Sequence, residues 1–378
     1  MAKSNSIKKL NSFKYETVIN VLGIIIVLLF IVNMFFLTSF SSSLKNKINE
    51  AEEAARPANI ELTVITASCE VSCFDIDSVV TKIKSGNVNV VSEEILNYKN
   101  SFPLVSALMN TYGVTKFPTV IVKGELNKTN LGDEFTTVDD ALIYNPTTPP
   151  YFDRAENKIK GLVIVTILSA NDCLNCTDVN LLLNQLKASG VVIKETRTLS
   201  ESEGRDLVQK YNIKKLPALV LSSDALDYAL IKDNWEGLGS KENDGSLVSR
   251  ELPPPYKNPE TGKVEGLVTV TYIVDSSCKT CYDVQLHKQI LHGYGVFIAK
   301  ENTLDVSTPE GNKFAQDNNI KSVPTIVLSN DAKLYTSFYR VFSQVGSEYN
   351  GNLIFTSVEL MGTYKDLSTG KEVSPEQA

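Results

Sequence analysis

Asp172-Cys173-Leu174-Asn175-Cys176-Thr177, answered downstream by Lys215-Leu216-Pro217-Ala218, is the stretch on which the reading of this chain turns. Two cysteines follow an apolar run, and a lone proline precedes another. The arrangement returns at Cys278-Lys279-Thr280-Cys281 with Ser322-Val323-Pro324-Thr325, and more loosely at Cys69-Glu70-Val71-Ser72-Cys73 with Lys116-Phe117-Pro118-Thr119. In chain order, first cysteine and proline stand 49, 44 and 46 residues apart, and the first cysteines recur after 104 and 105 residues. A period near 105 is too long for a solenoid unit and suits a whole small domain. The chain therefore reads as three related domains in tandem.

Working outward, each repeat shows one order of elements. Apolar, β-branched runs at 62–66, 162–166 and 267–271 predict central strands buried on both faces. A helix follows each cysteine pair, clearest at 178–187, and Gly190 and Gly293 end it in the second and third repeats. Second strands are expected at 191–195 and 296–299. The next helix closes at Gly113, Asn212 and Asn319, five residues before each proline. Glycine and asparagine are the residues that best tolerate a left-handed C-cap. Strands at 119–122, 218–221 and 325–328 come after the prolines. The sum is strand, cysteine pair, helix, strand, helix, proline, strand: an α/β layered domain. Connectors repeat too, as Pro149-Pro150-Tyr151-Phe152-Asp153, Pro254-Pro255-Tyr256-Lys257-Asn258, and again in 363–371. They set the expected domains at 58–155, 156–262 and 263–378.

Ahead of these lies a different kind of segment. Residues 1–17 carry four lysines against the single acid Glu16, and a run without charge opens at Val18 and closes at Leu37. Twenty helical residues rise roughly 30 Å, the thickness of the bilayer hydrocarbon core. The run is too long for a cleaved signal peptide and lacks a small-x-small site at its end. An uncleaved membrane anchor over 18–40 is expected, with 1–17 cytoplasmic by the positive-inside rule and the bulk of the chain extracytoplasmic. Residues 41–57 read as a short helical stalk closed by Pro57.

Composition bounds the rest. The 378 residues are 43% apolar, enough for packed cores, and carry a net charge of −7, which argues against nucleic acid. All six cysteines fall within the three pairs, and this spacing favours pairing within each motif over the other connectivities. The only histidines are His287 and His292, five apart on an expected helix and read as surface residues.

A cysteine in the first turn of a helix gains from the backbone dipole, which favours its thiolate. A second cysteine three positions on can close a disulfide or resolve a mixed one. That is the chemistry of thiol–disulfide exchange. At these residues the chain resembles the thioredoxin superfamily, over about eighty residues of each repeat. The resemblance implies a central mixed sheet flanked by helices in each of three tandem thioredoxin-like domains. It makes Cys173 and Cys278 attacking thiols, Cys176 and Cys281 resolving thiols, and Cys69 and Cys73 a more distant version. It also makes Pro118, Pro217 and Pro324 cis-prolines, with Phe117, Leu216 and Val323 presenting backbone to a protein substrate. Departures are plain. Ser68, Asp172 and Ser277 precede the first cysteine where the family's Trp-Cys-Gly-Pro-Cys has tryptophan, and Thr63, Ile167 and Tyr272 stand where it keeps a buried acid.

The expected function is thus a membrane-anchored, extracytoplasmic thiol–disulfide oxidoreductase acting on exported protein clients, without cofactor or metal. Lys279 beside Cys278 favours thiolate and Glu70 beside Cys69 opposes it, which ranks the repeats third, second, first. Two other readings stand beside it: a binding or scaffold protein with structural disulfides, and a soft-metal site at the looser pair.

Overall fold

The computed structural model describes residues 4–67, 69 and 73–374, with side chains from residue 17 onward. The chain opens with one continuous helix, α1 (Ser4–Ala55). Anchor and stalk, expected as separate segments, are a single rod. Residues 41–55 are rich in alanine, lysine and glutamate, which continue a helix, and nothing breaks it before Pro57. The portion Thr17–Ala55 is long and apolar enough to cross a membrane. Two of its polar side chains bond within the helix: Asn33 Nδ2 donates to the Leu29 carbonyl and Thr38 Oγ1 to that of Met34, both at 3.0 Å.

The chain, α1 included, divides into two compact units, Met1–Thr66 with Asp75–Asn145, and Ala67–Phe74 with Pro146–Ala378. In the first unit the chain runs β1 (Ala58–Thr66), α2 (Ile76–Lys84), β2 (Val88–Asn97), α3 (Phe102–Tyr112), β3 (Lys116–Phe117), β4 (Thr119–Gly124), β5 (Phe135–Val138) and β6 (Ala141–Tyr144). Its sheet has the order β2-β1-β4-β6-β5. Strand β1 pairs parallel with β2 and antiparallel with β4. It buries Ile60, Leu62, Val64 and Ile65, as expected of a central strand.

The second unit opens with the hairpin β7 (Tyr151–Asp153) and β8 (Lys158–Lys160), then β9 (Val163–Leu168), α4 (Asn180–Ala188), β10 (Ile193–Leu199), α5 (Arg205–Lys210), β11 (Ala218–Leu221), α6 (Ala229–Asn234), β12 (Gly239–Lys241) and β13 (Leu247–Ser249). A second hairpin, β14 (Tyr256–Lys257) and β15 (Val264–Glu265), leads into β16 (Val268–Val274), α7 (Leu286–Gly293), β17 (Ile298–Asp305), α8 (Pro309–Asp317), β18 (Ser322–Val323), β19 (Thr325–Leu328), α9 (Thr336–Phe342), β20 (Gly346–Tyr349) and β21 (Asn352–Phe355). The last strands among the described residues are β22 (Tyr364–Asp366) and β23 (Glu372–Val373). Two further five-stranded sheets result, β10-β9-β11-β13-β12 and β17-β16-β19-β21-β20, with the same order as the first.

Apolar side chains cover both faces of these sheets. On the second sheet Leu219 and Leu221 pack with Leu183, Ile231 and Trp235. Ala218 and Val220 turn the other way, toward Tyr211, Ile213 and Leu216. That alternation is the pleat at work. The predicted C-caps are left-handed, with φ of 65° at Gly113, 49° at Asn212 and 52° at Asn319. In the third repeat Gly295, not Gly293, takes the positive φ after α7. The second strands begin two residues later than predicted and run longer, and a register irregularity follows Ile193 in one sheet and Val268 in the other. Their outer residues are charged (Glu195, Arg197; Lys300, Glu301), which hides them from an apolar-run reading.

The connectors are built alike. Gly161 (φ 76°) and Gly266 (φ 88°) each lie so close to a proline, Pro149 and Pro254, that an added Cβ would come within 2.1 and 2.3 Å of its Cβ. Tyr228 Oη donates to the Gly161 carbonyl at 2.8 Å, and Tyr335 Oη to that of Gly266 at 2.7 Å.

Candidate redox sites

Each cysteine pair is a disulfide: Cys69–Cys73, Cys173–Cys176 and Cys278–Cys281. All six cysteines are half-buried, while Leu174, Asn175, Lys279 and Thr280 between the partners are exposed. The pairs do not sit in the first turn of a helix, as the sequence suggested. The second and third pairs occupy turns, with Cys173 N–H bonded to the Ala170 carbonyl at 3.0 Å and Cys278 N–H to that of Asp275 at 3.1 Å. Helices α2, α4 and α7 start only at Ile76, Asn180 and Leu286. Whatever favours a thiolate here must therefore come largely from side chains, because the helix-end field fades within a turn. Ser68 and Glu70 lie outside the described residues.

The three prolines close cis peptide bonds, Phe117-Pro118, Leu216-Pro217 and Val323-Pro324. Two more occur in the connectors, at Pro149-Pro150 and Pro254-Pro255, and were not anticipated. Phe117, Leu216 and Val323 are fully buried. In the third repeat the pair and the proline meet: Cys281 Sγ lies 3.9 Å from the Val323 carbonyl oxygen. Tyr282 Oη donates to the Pro324 carbonyl at 2.7 Å. With its single proton committed there, Tyr282 can only accept at 3.0 Å from His287 Nε2.

His287 is thus no surface residue. It is 3% exposed, packed edge-on to Phe355, and burial holds its imidazole at about 4, below the ordinary 6.5. Periodicity could not separate it from His292, which is exposed. Of the expected buried-acid positions, Ile167 is buried, Thr63 is half-buried and Tyr272 is buried with Oη donating to Glu301 at 3.0 Å. Lys279 donates to the Ser276 carbonyl.

The connectors complete the sites, which the sequence did not foretell. The residue after each second cysteine donates its N–H to a carbonyl of the connector downstream: Phe74 to Pro150 at 2.7 Å, Thr177 to Pro255 at 2.9 Å and Tyr282 to Thr363 at 2.9 Å. Leu216 exchanges both backbone bonds with Lys257, at 2.8 and 2.7 Å. Val323 pairs in the same way of register with Lys365 on β22. The backbone expected to face a partner is therefore held by the chain's own connector at Leu216 and Val323. The lysines do more. Lys257 Nζ reaches both carboxylate oxygens of Asp172 at 2.9 Å and Glu201 at 2.7 Å. Lys365 Nζ reaches Asp275 at 2.7 Å and Ser277 Oγ at 3.0 Å. The repeated Tyr-Lys of the connectors, Tyr256-Lys257 and Tyr364-Lys365, was the available signal. Among the described residues no cluster of three or more His, Cys, Asp or Glu could hold a metal ion.

A strand, a cysteine pair, a helix, a parallel strand, a second helix and a cis-proline before an antiparallel strand make a thioredoxin-like fold. No family model and no curated protein matches the chain. Solved structures similar to it include a protein disulfide oxidoreductase from Aeropyrum pernix k1, at 16% identity over 45% of this chain and 77% of that one, with a TM-score of 0.15. ERdj5 (form II) aligns at 12% identity over 77% of this chain but only 42% of its own, with a TM-score of 0.15. Human ERp44 (form II) aligns at 10% identity over 73% of this chain and 77% of its own, with a TM-score of 0.13. TM-scores this low carry nothing for function; the topology and the cysteine sites must do so.

Proposed function

We propose that the chain is a membrane-anchored, extracytoplasmic thiol–disulfide oxidoreductase of three tandem thioredoxin-like domains. The anchor lies within α1, with residues 1–17 on the cytoplasmic side, and the domains follow at 58–155, 156–262 and 263–378. The clients are exported proteins with thiols or disulfides. One observation carries the reading: a half-buried disulfide whose second sulfur lies against the carbonyl ahead of a cis-proline, at Cys281 and Val323. In the reducing direction the Cys278 thiolate attacks a client disulfide and releases one client thiolate. The Cys281 thiolate then displaces the second, leaving the client with two thiols and the protein with its disulfide. Oxidation is the same sequence reversed. Cys173 and Cys176 take the same roles in the second repeat.

A second reading is favoured by the occupied backbone of Leu216 and Val323. A binding or scaffold protein with stapled loops would have no use for an open edge there. A redox titration of residues 57–378 in graded thiol buffers, with free cysteines trapped and assigned by mass, separates the two. Reversible titration of the second and third pairs is the expected result. Three pairs that stay oxidised under strong reductant without denaturant would leave only the scaffold.

A further inference from the structure

We propose that Lys257 and Lys365 are positioning residues of the exchange sites, each offsetting the aspartate beside its cysteine pair and so setting how readily the first cysteine becomes a thiolate. The inference deepens the exchange reading and rests on it. Its starting point is an internal comparison. The second repeat places Asp172 directly before Cys173, and the third places Asp275 three residues before Cys278. Both have a lysine in the connector. The first repeat has Ser68 and Thr66 at the acid positions and Phe152 where the lysine would be. Acid and lysine are present together or absent together.

Geometry gives the coincidence a cause. Each lysine is delivered by a backbone pairing to the residue before the cis-proline, so its reach is fixed. Lys257 is buried with 9% of its side chain exposed, and Asp172 is largely exposed at 67%. The stem of Lys257 is thus held in place while its ammonium meets the exposed carboxylate of Asp172 and the half-buried Glu201. Asp172 from the loop, Glu201 from the segment after β10, Arg205 from α5 and Lys257 and Glu260 from the connector line one cleft of about 800 Å3 beside the loop, with Cys173 the next residue after Asp172. Lys214 is engaged with Glu260. The contacting set of Lys257, Asp172 and Glu201 is net −1. Around Cys278 the own loop supplies Asp275 and Lys279, β17 Asp305, the connector Lys365, and β23 Glu372 through Thr280. There Lys365 and Asp275 cancel. An anion next to a cysteine raises the cost of a thiolate, and a cation lowers it.

The signs make the idea testable. Loss of Lys257 leaves the Asp172 and Glu201 carboxylates without their shared cation, whereas loss of the Asp172 charge leaves Lys257 paired with Glu201 alone. A clamp that merely held the connector in place would loosen in both variants and move Cys173 one way. The measurement is the alkylation rate of Cys173 by iodoacetamide in the reduced full-length chain, from about pH 5 to pH 10. The protein is reduced natively, or in denaturant followed by refolding in reductant. At fixed pH below the midpoint, Lys257→Met should slow alkylation by about three- to tenfold and Asp172→Asn should speed it by a similar factor. Lys257→Arg should match the parent. Lys365→Met, read at Cys278, repeats the test in a separate fold should Lys257→Met fail to refold. Shifts of one sign in both variants, or none, overturn the proposal. A pair that titrates with thiol buffers yet shows unaltered alkylation overturns this proposal alone. A pair that resists native reduction overturns the exchange reading, while the alkylation signs still report on the lysines.

Discussion

At the scale of single residues, the third site holds two groups whose behaviour can be forecast. His287 is buried against Phe355 and bonded to Tyr282, and its imidazole sits at about 4 where the unfolded chain has 6.5. Between those values the unfolded state binds more protons, so stability falls as pH falls through that window and is fully present above it. The loss amounts to at most about 3 kcal/mol. His287→Phe should flatten the acid limb of a plot of Tm against pH, a change visible by calorimetry. Cys281→Ser removes the resolving thiol and should trap client adducts on Cys278, seen as bands lost on reduction in a non-reducing gel. Single residues were also where the sequence said least. The cysteines and prolines announce themselves by type and spacing. Lys257, Tyr282 and His287 matter through partners more than forty positions away or through burial, neither of which a local pattern encodes.

Elements were more legible, and the reasons are physical. A left-handed cap accepts few residues, so Gly113, Asn212 and Asn319 marked their helix ends reliably. Alanine tolerates that left-handed conformation less well than asparagine, so Asn212→Ala should cost about 1 kcal/mol, read as a lowered denaturant midpoint; Asn212→Gly should cost nearly nothing. Central strands showed as apolar runs because both neighbours and both faces cover them. Edge strands β2, β10 and β17 carry charge outward, which blurred their starts and hid β2 altogether. In α1 the charge-free run 18–37 was legible, and it falls in a helix long and apolar enough to cross a membrane. A chain beginning at residue 57 should wash from membranes with salt, while the full chain should need detergent.

For the whole molecule, the triple recurrence was legible because a period of about 105 residues copies an entire topology, and three sheets share one strand order. The limits of each copy were harder to draw. Hairpin β14–β15 spans the expected cut at residue 262, and its first strand holds the proline loop of the repeat before it. A piece ending at residue 253 should therefore show faster hydrogen exchange at the Leu216 amide than one ending at 266. The backward pairing also has a consequence in time. Lys257 lies forty-one positions after Leu216, so at roughly 5–20 residues per second a growing chain leaves that edge bare for a few seconds. During synthesis the sites close one after another, each shut by the segment made next, and a nascent chain displays edges that the finished protein has covered.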